Sequence, residues 1–208
     1  MRLIALVLAA FIASGPAAAQ AISPPWKLYP EVVEGFLLTF PGDPDLDYTS
    51  WDLVPKRPAD ASVYSVHYNN ALFKMTVVDA TGAFIKEDPI VAHAIEKIAE
   101  GGKVTENQPT RVYQIYGRQL NISRPNGTST LAVVFYVNER LYMVETTGPA
   151  AAGSDMFRFL RSLSFDSNVR NRTKEQLDAY WESCQRGADG AQLPLLPSGL
   201  DDPRCARD

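Results

Sequence analysis

Two histidines, two cysteines and a short run of aspartates are the residues of this 208-residue chain with most chemistry to offer. His67 and His93 fall on different expected elements, one a strand and the other a helix. They lack the close spacing that sets two imidazoles on one ion. Each reads as a polar residue on a sheet or helix face, and no metal site is expected. Asp43, Asp45 and Asp47 begin like a calcium loop, yet Tyr48 stands where the loop needs glycine and Val54 where it needs glutamate. The triplet therefore reads as a solvated acidic turn. A serine hydrolase would show a Gly-x-Ser-x-Gly elbow, and nucleotide chemistry a phosphate-cradling glycine loop; neither pattern occurs. No catalytic constellation and no cofactor follow from the residues. Cys184 and Cys205 are the only cysteines, and an even count in an exported chain predicts a disulfide across a short late loop. Arg158, Arg161, Arg170, Arg172 and Lys174 form a locally basic stretch diluted by Asp155 and Asp166, which reads as a solvated helix face. The Asn-x-Ser/Thr triplets at Asn121, Asn126 and Asn171 read as chance matches, because the alanine-rich leader is of bacterial type.

That leader fixes the expected compartment. Met1-Arg2 precedes an apolar run over 3–13, Ser14-Gly15-Pro16 breaks it, and Ala17 and Ala19 supply the small residues that a signal peptidase reads. Residues 1–19 are expected to be a cleaved signal, with the mature chain starting at Gln20 or Ala21. The run is too short for a spanning helix, and no later segment is long and apolar enough for one. The expectation is a soluble protein of the periplasm or the extracellular space. The composition is 46% apolar and 21% charged with a formal net charge of −4, ordinary values for one globular domain. A mildly acidic chain is poorly suited to a phosphate backbone, so nucleic acid is not an expected partner.

The candidate residues must be held by elements of mixed type. Phe36, Leu38 and Phe40 alternate as a half-buried strand requires, and Pro41-Gly42-Asp43-Pro44 ends it. Strands are expected over 48–54, 61–67 and 72–78, the last two joined at Asn69-Asn70. Asp88-Pro89 is expected to cap a helix in which Ile90, Val91, Ala94, Ile95 and Ile98 repeat at helical spacing until Gly101-Gly102. Residues 110–123 read as one imperfect strand. Pro125-Asn126-Gly127 is a turn, Leu131, Val133, Phe135 and Val137 alternate, and Asn138-Glu139 turns the chain into Leu141-Tyr142-Met143-Val144. Ser154 is expected to cap a second helix carrying Met156, Phe159, Leu160 and Leu163. Thr173-Lys174-Glu175-Gln176 has capping-box spacing, and Leu177, Tyr180, Trp181 and Cys184 share one face of a third helix over 173–184. The loop-rich remainder is expected to be tied back by the disulfide.

This order predicts an α+β fold around a mainly antiparallel sheet. Val134 and Tyr136 are apolar opposite Val133 and Phe135, so the sheet is expected to lie between helices. Four stretches carry a resemblance: Phe36-Leu37-Leu38-Thr39-Phe40-Pro41-Gly42-Asp43-Pro44, Tyr64-Ser65-Val66-His67-Tyr68, Asn138-Glu139-Arg140-Leu141-Tyr142 and Phe159-Leu160-Arg161-Ser162-Leu163-Ser164-Phe165. In that order they resemble exported bacterial proteins of the PsbP-like superfamily. The resemblance implies a PsbP-like domain over 26–166 followed by a C-terminal helix and tail over 167–208. It also implies an accessory or binding protein rather than an enzyme, and brings no catalytic residues with it. The functional expectation is a non-enzymatic periplasmic accessory or binding protein for an unidentified protein or small molecule. One alternative is a hydrolase-like enzyme whose site is assembled from dispersed Asp, Glu, Ser or Tyr residues. The other is an interaction module that uses Leu177, Tyr180 and Trp181 on the C-terminal helix.

Overall fold

The computed structural model describes residues 26–167 and Val169. The expected signal, Cys184, Cys205 and the helix bearing Leu177, Tyr180 and Trp181 lie outside the described residues. Among the described residues ten strands and two α-helices follow in the order β1 (Lys27–Glu31), β2 (Phe36–Phe40), β3 (Asp45–Val54), β4 (Arg57–Tyr68), β5 (Ala71–Asp79), α1 (Glu87–Ala99), β6 (Lys103–Val112), β7 (Ile115–Ser123), β8 (Ser129–Val137), β9 (Arg140–Gly148), α2 (Gly153–Arg161) and β10 (Ser164–Phe165). Strands β3 to β9 form one antiparallel seven-stranded sheet in the order β3-β4-β5-β9-β8-β7-β6. A small sheet has the order β1-β2-β10.

The large sheet has an apolar layer on each face, as Val134 and Tyr136 implied. On one face Ile90, Ala94 and Ile98 of α1 pack against Leu120, Ala132, Val134, Leu141 and Met143. On the other, Met156, Phe159 and Leu160 of α2 meet Phe73, Met75, Phe135 and Tyr142, together with Phe36, Leu38 and Phe40 of the small sheet. The α+β architecture is as expected, with one addition: α2 shares its face with the three-stranded sheet. Phe159 stands between the two sheets, its ring 5.1 Å from Phe40 and 5.3 Å from Phe73 in edge-on geometry.

Local details correct the sequence reading in four places. Helix α1 begins at Glu87, so Asp88 and Pro89 lie inside its first turn, and no side chain caps it. An acid still suits that turn, and a proline there removes no intrahelical hydrogen bond. Helix α2 begins at Gly153 because the Pro149 carbonyl starts a 3-10 turn over Ala150–Ala152; Ser154 is therefore inside the helix and caps nothing. Residues 110–123 are not one strand. Tyr113 adopts φ +55° in a two-residue turn between β6 and β7, and the break in alternation is the hairpin itself. Strand β1, which the sequence reading did not expect, occupies Lys27–Glu31, and Val32 and Val33 fall in the turn after it.

At its far end α1 is closed by Arg124, which donates to the carbonyls of Ile98 and Glu100 and to the Thr130 hydroxyl. No described helix is long and apolar enough to cross a membrane.

Candidate functional site

Three two-residue turns, at 55–56, 113–114 and 138–139, and the loop from β5 to α1 leave the large sheet by the same end. The β1–β2 turn is fastened to that end by the first residues of β9. The Arg140 guanidinium donates through Nη1 to the Val33 carbonyl at 2.7 Å, and the Tyr142 hydroxyl donates to the Glu34 carbonyl at 2.7 Å. Gly35 closes the turn with φ +80°, and a Cβ there would come within 2.5 Å of Val169. Only glycine meets both demands. The Asp166 amide donates to the Gly35 carbonyl, and the Val169 amide to Asp166 Oδ1, both at 2.9 Å.

Between this turn and the β8–β9 turn lies a cleft of about 340 Å³, lined by Val32, Val33, Gly35, Thr81, Asn138, Glu139, Arg140, Tyr142, Asp166 and Val169. Thr81 is held at its rim by its amide, which donates to Asp79 Oδ1 at 2.9 Å, and Ala80 is tied to the Glu139 carbonyl. Hydrogen bonding from the Thr81 side chain first, and from its amide and the charge of Arg140 after it, keeps the Asp79 carboxyl below its ordinary range against the opposing effect of burial.

Glu34 lies behind the turn. Burial raises its carboxyl above the usual range, Glu31 adds to the rise, and hydrogen bonding from Ser62 and Tyr64 and the charge of Arg140 oppose it. Its Oε2 is enclosed without a hydrogen-bond partner. Burial pushes the Tyr142 hydroxyl up to about 12 although Arg140 pulls it down, and burial also raises Tyr64. Such a group can give or take a proton in a partly dry setting, or hold a polar atom presented to it.

The same end displays apolar side chains to water. Val32 is 70% exposed, Val33 80% and Phe84, in the β5–α1 loop, 99%. Tyr113 is exposed at its own turn. Phe84 also adopts φ +55°, a left-handed conformation that is strained for a bulky residue.

The residues singled out by type are placed elsewhere. His67 is exposed on β4 opposite Leu72. His93 is half-buried on α1, its Nε2 enclosed without a partner. No three His, Cys, Asp or Glu side chains gather into a metal-binding group among the described residues. Asp43 pairs with Lys27 at 2.7 Å, and Asp45 and Asp47 belong to β3, so the aspartates span a turn and a strand rather than one acidic loop. Arg158 lies over the Trp26 ring at 4.4 Å, and Arg161 is 6.0 Å from the Phe157 ring. The cleft residues are missing from the sequence reading because distant turns supply them. One signal was available: Val32-Val33 and Phe84 are apolar residues in segments otherwise built like turns.

No family model matches the chain, and no curated protein does so either. Among solved structures the chain is similar to the cyanobacterial PsbP protein, CyanoP, of Synechocystis sp. PCC 6803. That similarity covers 73% of this chain and 98% of the other at 10% identity, with a TM-score of 0.45. A Pseudomonas aeruginosa protein of unknown function is similar over 62% of this chain and 87% of its own at 15% identity, with a TM-score of 0.33. At these identities and TM-scores the likenesses transfer no residue role.

Proposed function

We propose that the protein is a non-enzymatic accessory or binding protein of the periplasm or the extracellular space, and that it engages a protein partner through the loop-bearing end of its large sheet. The observation that carries this reading is Phe84, an aromatic ring left almost wholly in water on a strained backbone. Both features are costly in an isolated monomer, and a bulky aromatic at a loop tip is the kind of anchor that dominates protein interfaces. The leader over 1–19 supports the compartment, and a Cys184–Cys205 disulfide suits it. Cross-linking in the native envelope, followed by competition with purified protein, tests the reading. A saturable adduct should form with the wild-type chain and with Phe157→Asp, whose site is on α2, and should be lost with Phe84→Asp. Equal adducts from both variants would count against it.

An enzymatic alternative has one observation in its favour: the raised, partly unsatisfied Glu34 carboxyl beside the hydroxyls of Ser62 and Tyr64. A hydrolytic activity on small ester or phosphoester probes that disappears in a folded Glu34→Gln protein would establish it.

A further inference from the structure

We infer that the cleft beside the β1–β2 turn receives a lysine or arginine side chain from an extended segment of the partner protein, with the apolar neighbours of that cation set against Val32 and Val33. This assignment rests on the proposed function, that this end of the sheet engages a protein. Among the described residues that line the cleft, Glu139 and Asp166 carry negative charge and Arg140 alone carries positive charge. Glu31, whose carboxylate accepts from the Val33 amide, and Asp79, whose carboxylate holds Thr81 at the rim, extend the acidic margin. Arg140 is spent within the fold: its guanidinium donates to the Val33 carbonyl, and its charge acts on Glu34, Asp79 and Tyr142. Glu139 is exposed and makes no ion pair among the described residues. A cation entering here therefore finds an unengaged carboxylate, whereas an acidic segment or an anionic lipid surface is repelled.

The rest of the cleft suits a peptide rather than a free ion. Val32 and Val33, 70% and 80% exposed, form its apolar wall. A small hydrated cation gains nothing from two valines, while the stem of a lysine or arginine and the hydrophobic residues beside it lose water against them. Asn138 lines the same cleft with its side-chain amide nitrogen enclosed and without a hydrogen-bond partner, and that donor calls for an acceptor of the kind each peptide carbonyl supplies. The walls are fixed before a partner arrives. Arg140 and Tyr142 hold the carbonyls of Val33 and Glu34, and the Asp166 amide holds that of Gly35, so binding has little of the protein left to order. Phe84 follows Thr81 by three residues, no more than about 11 Å of chain. A segment seated in the cleft thus lies within reach of that ring.

The experiment titrates the isotope-labelled full chain with two capped peptides, one placing arginine and the other glutamate between valines, and reads the amide resonances of residues 32–35, 81 and 138–140. The arginine peptide should shift these resonances and bind about fivefold more tightly than the glutamate peptide, or better, as the gain of one ion pair allows. Glu139→Lys should reverse the preference while the β8 resonances stay in place as the sign of an intact fold. Should that variant disturb β8, Glu139→Gln takes its place and must remove the preference. Val33→Ser should weaken the arginine peptide and leave its advantage over the glutamate peptide. Equal binding of the two peptides, no binding of either at millimolar concentration, an unchanged preference in the Glu139 variants, or shifts confined to other residues would overturn the inference. Resonances at 32–35 that move with protein concentration alone would also overturn it, by giving the surface to a second copy. A partner adduct that needs Phe84 but forms equally with Glu139→Lys would remove the inference and leave the proposed function standing. Selection of arginine at the cleft without any partner adduct would do the reverse, leaving a cation site without a protein partner.

Discussion

At the scale of single residues, the informative groups are carboxyls that the fold encloses. Glu87, in the first turn of α1, is pushed up to about 7, first by burial and then by the charge of Asp88. A helix N-terminus favours the ionised form by about 0.3–1 kcal/mol, so burial is the larger influence here. With a folded value above the unfolded one, the native state holds more protons between about pH 4.5 and 7, and stability falls as pH rises through that window. Glu87→Gln should flatten this dependence. The loss of stability between pH 5 and 8, read from urea midpoints, should shrink by about 1 kcal/mol once solvent screening of this partly exposed carboxyl is allowed for; an unchanged loss would show that another group is responsible. Glu34 has the same sign of shift for the same first cause. Neither residue was legible as special in the sequence, whereas His67 and His93 were, because residue type is written in the chain and enclosure is not. What encloses Glu34 is a turn folded under Arg140 and Tyr142, more than a hundred positions away.

Elements were legible where one face is apolar and the other polar. The alternation of Phe36, Leu38 and Phe40, the helical spacing of Ile90, Ala94 and Ile98, and the turns at Asn69-Asn70 and Asn138-Glu139 all mark elements the structure contains. Strand β6 was missed because Lys103–Val112 is an edge strand whose side chains face water or its rim, leaving no period to read. Both helix caps were misplaced because each helix starts before the Asp or Ser that looked like its cap, on backbone groups alone. The turn at Asn138-Glu139 yields a prediction of its own. Both residues are left-handed, with φ +52° and +57°, as a tight turn between antiparallel strands requires. Glutamate bears a steric cost there that glycine does not, so Glu139→Gly should raise stability by about 0.5–1 kcal/mol. A lowered thermal midpoint would mean that the Glu139 side chain contributes a contact at the cleft rim worth more than the strain.

For the whole molecule, the arrangement of two apolar layers around one sheet makes Phe159 the side chain on which most depends. It touches Phe40 of the small sheet and Phe73 of the large one, and it is fully enclosed. Phe159→Ala should cost about 3–5 kcal/mol. Near-ultraviolet dichroism and urea unfolding should then show loosening of the small sheet along with the large one, whereas a loss below about 1 kcal/mol would imply that the layer closes over the gap. The antiparallel architecture with covered faces was legible in the sequence; the small sheet was not, because β10 is two residues long and pairs with β2 across most of the chain. The order of strands also bears on how the chain assembles. Strands β3-β4-β5 and β6-β7-β8-β9 are two meanders, each made of local hairpins, and they join only along β5 and β9, from Leu72 opposite Thr147 to Asp79 opposite Arg140. Hairpins form in microseconds, while pairing across so long a loop is slow. Until that seam closes, each meander ends in an unsatisfied apolar strand, β5 or β9, although the finished sheet presents only β3 and β6 at its borders. The hazard of mispairing thus belongs to the newly made chain and not to the folded one, and a chaperone that shields β5 and β9 would serve this protein more than one that guards its final edges.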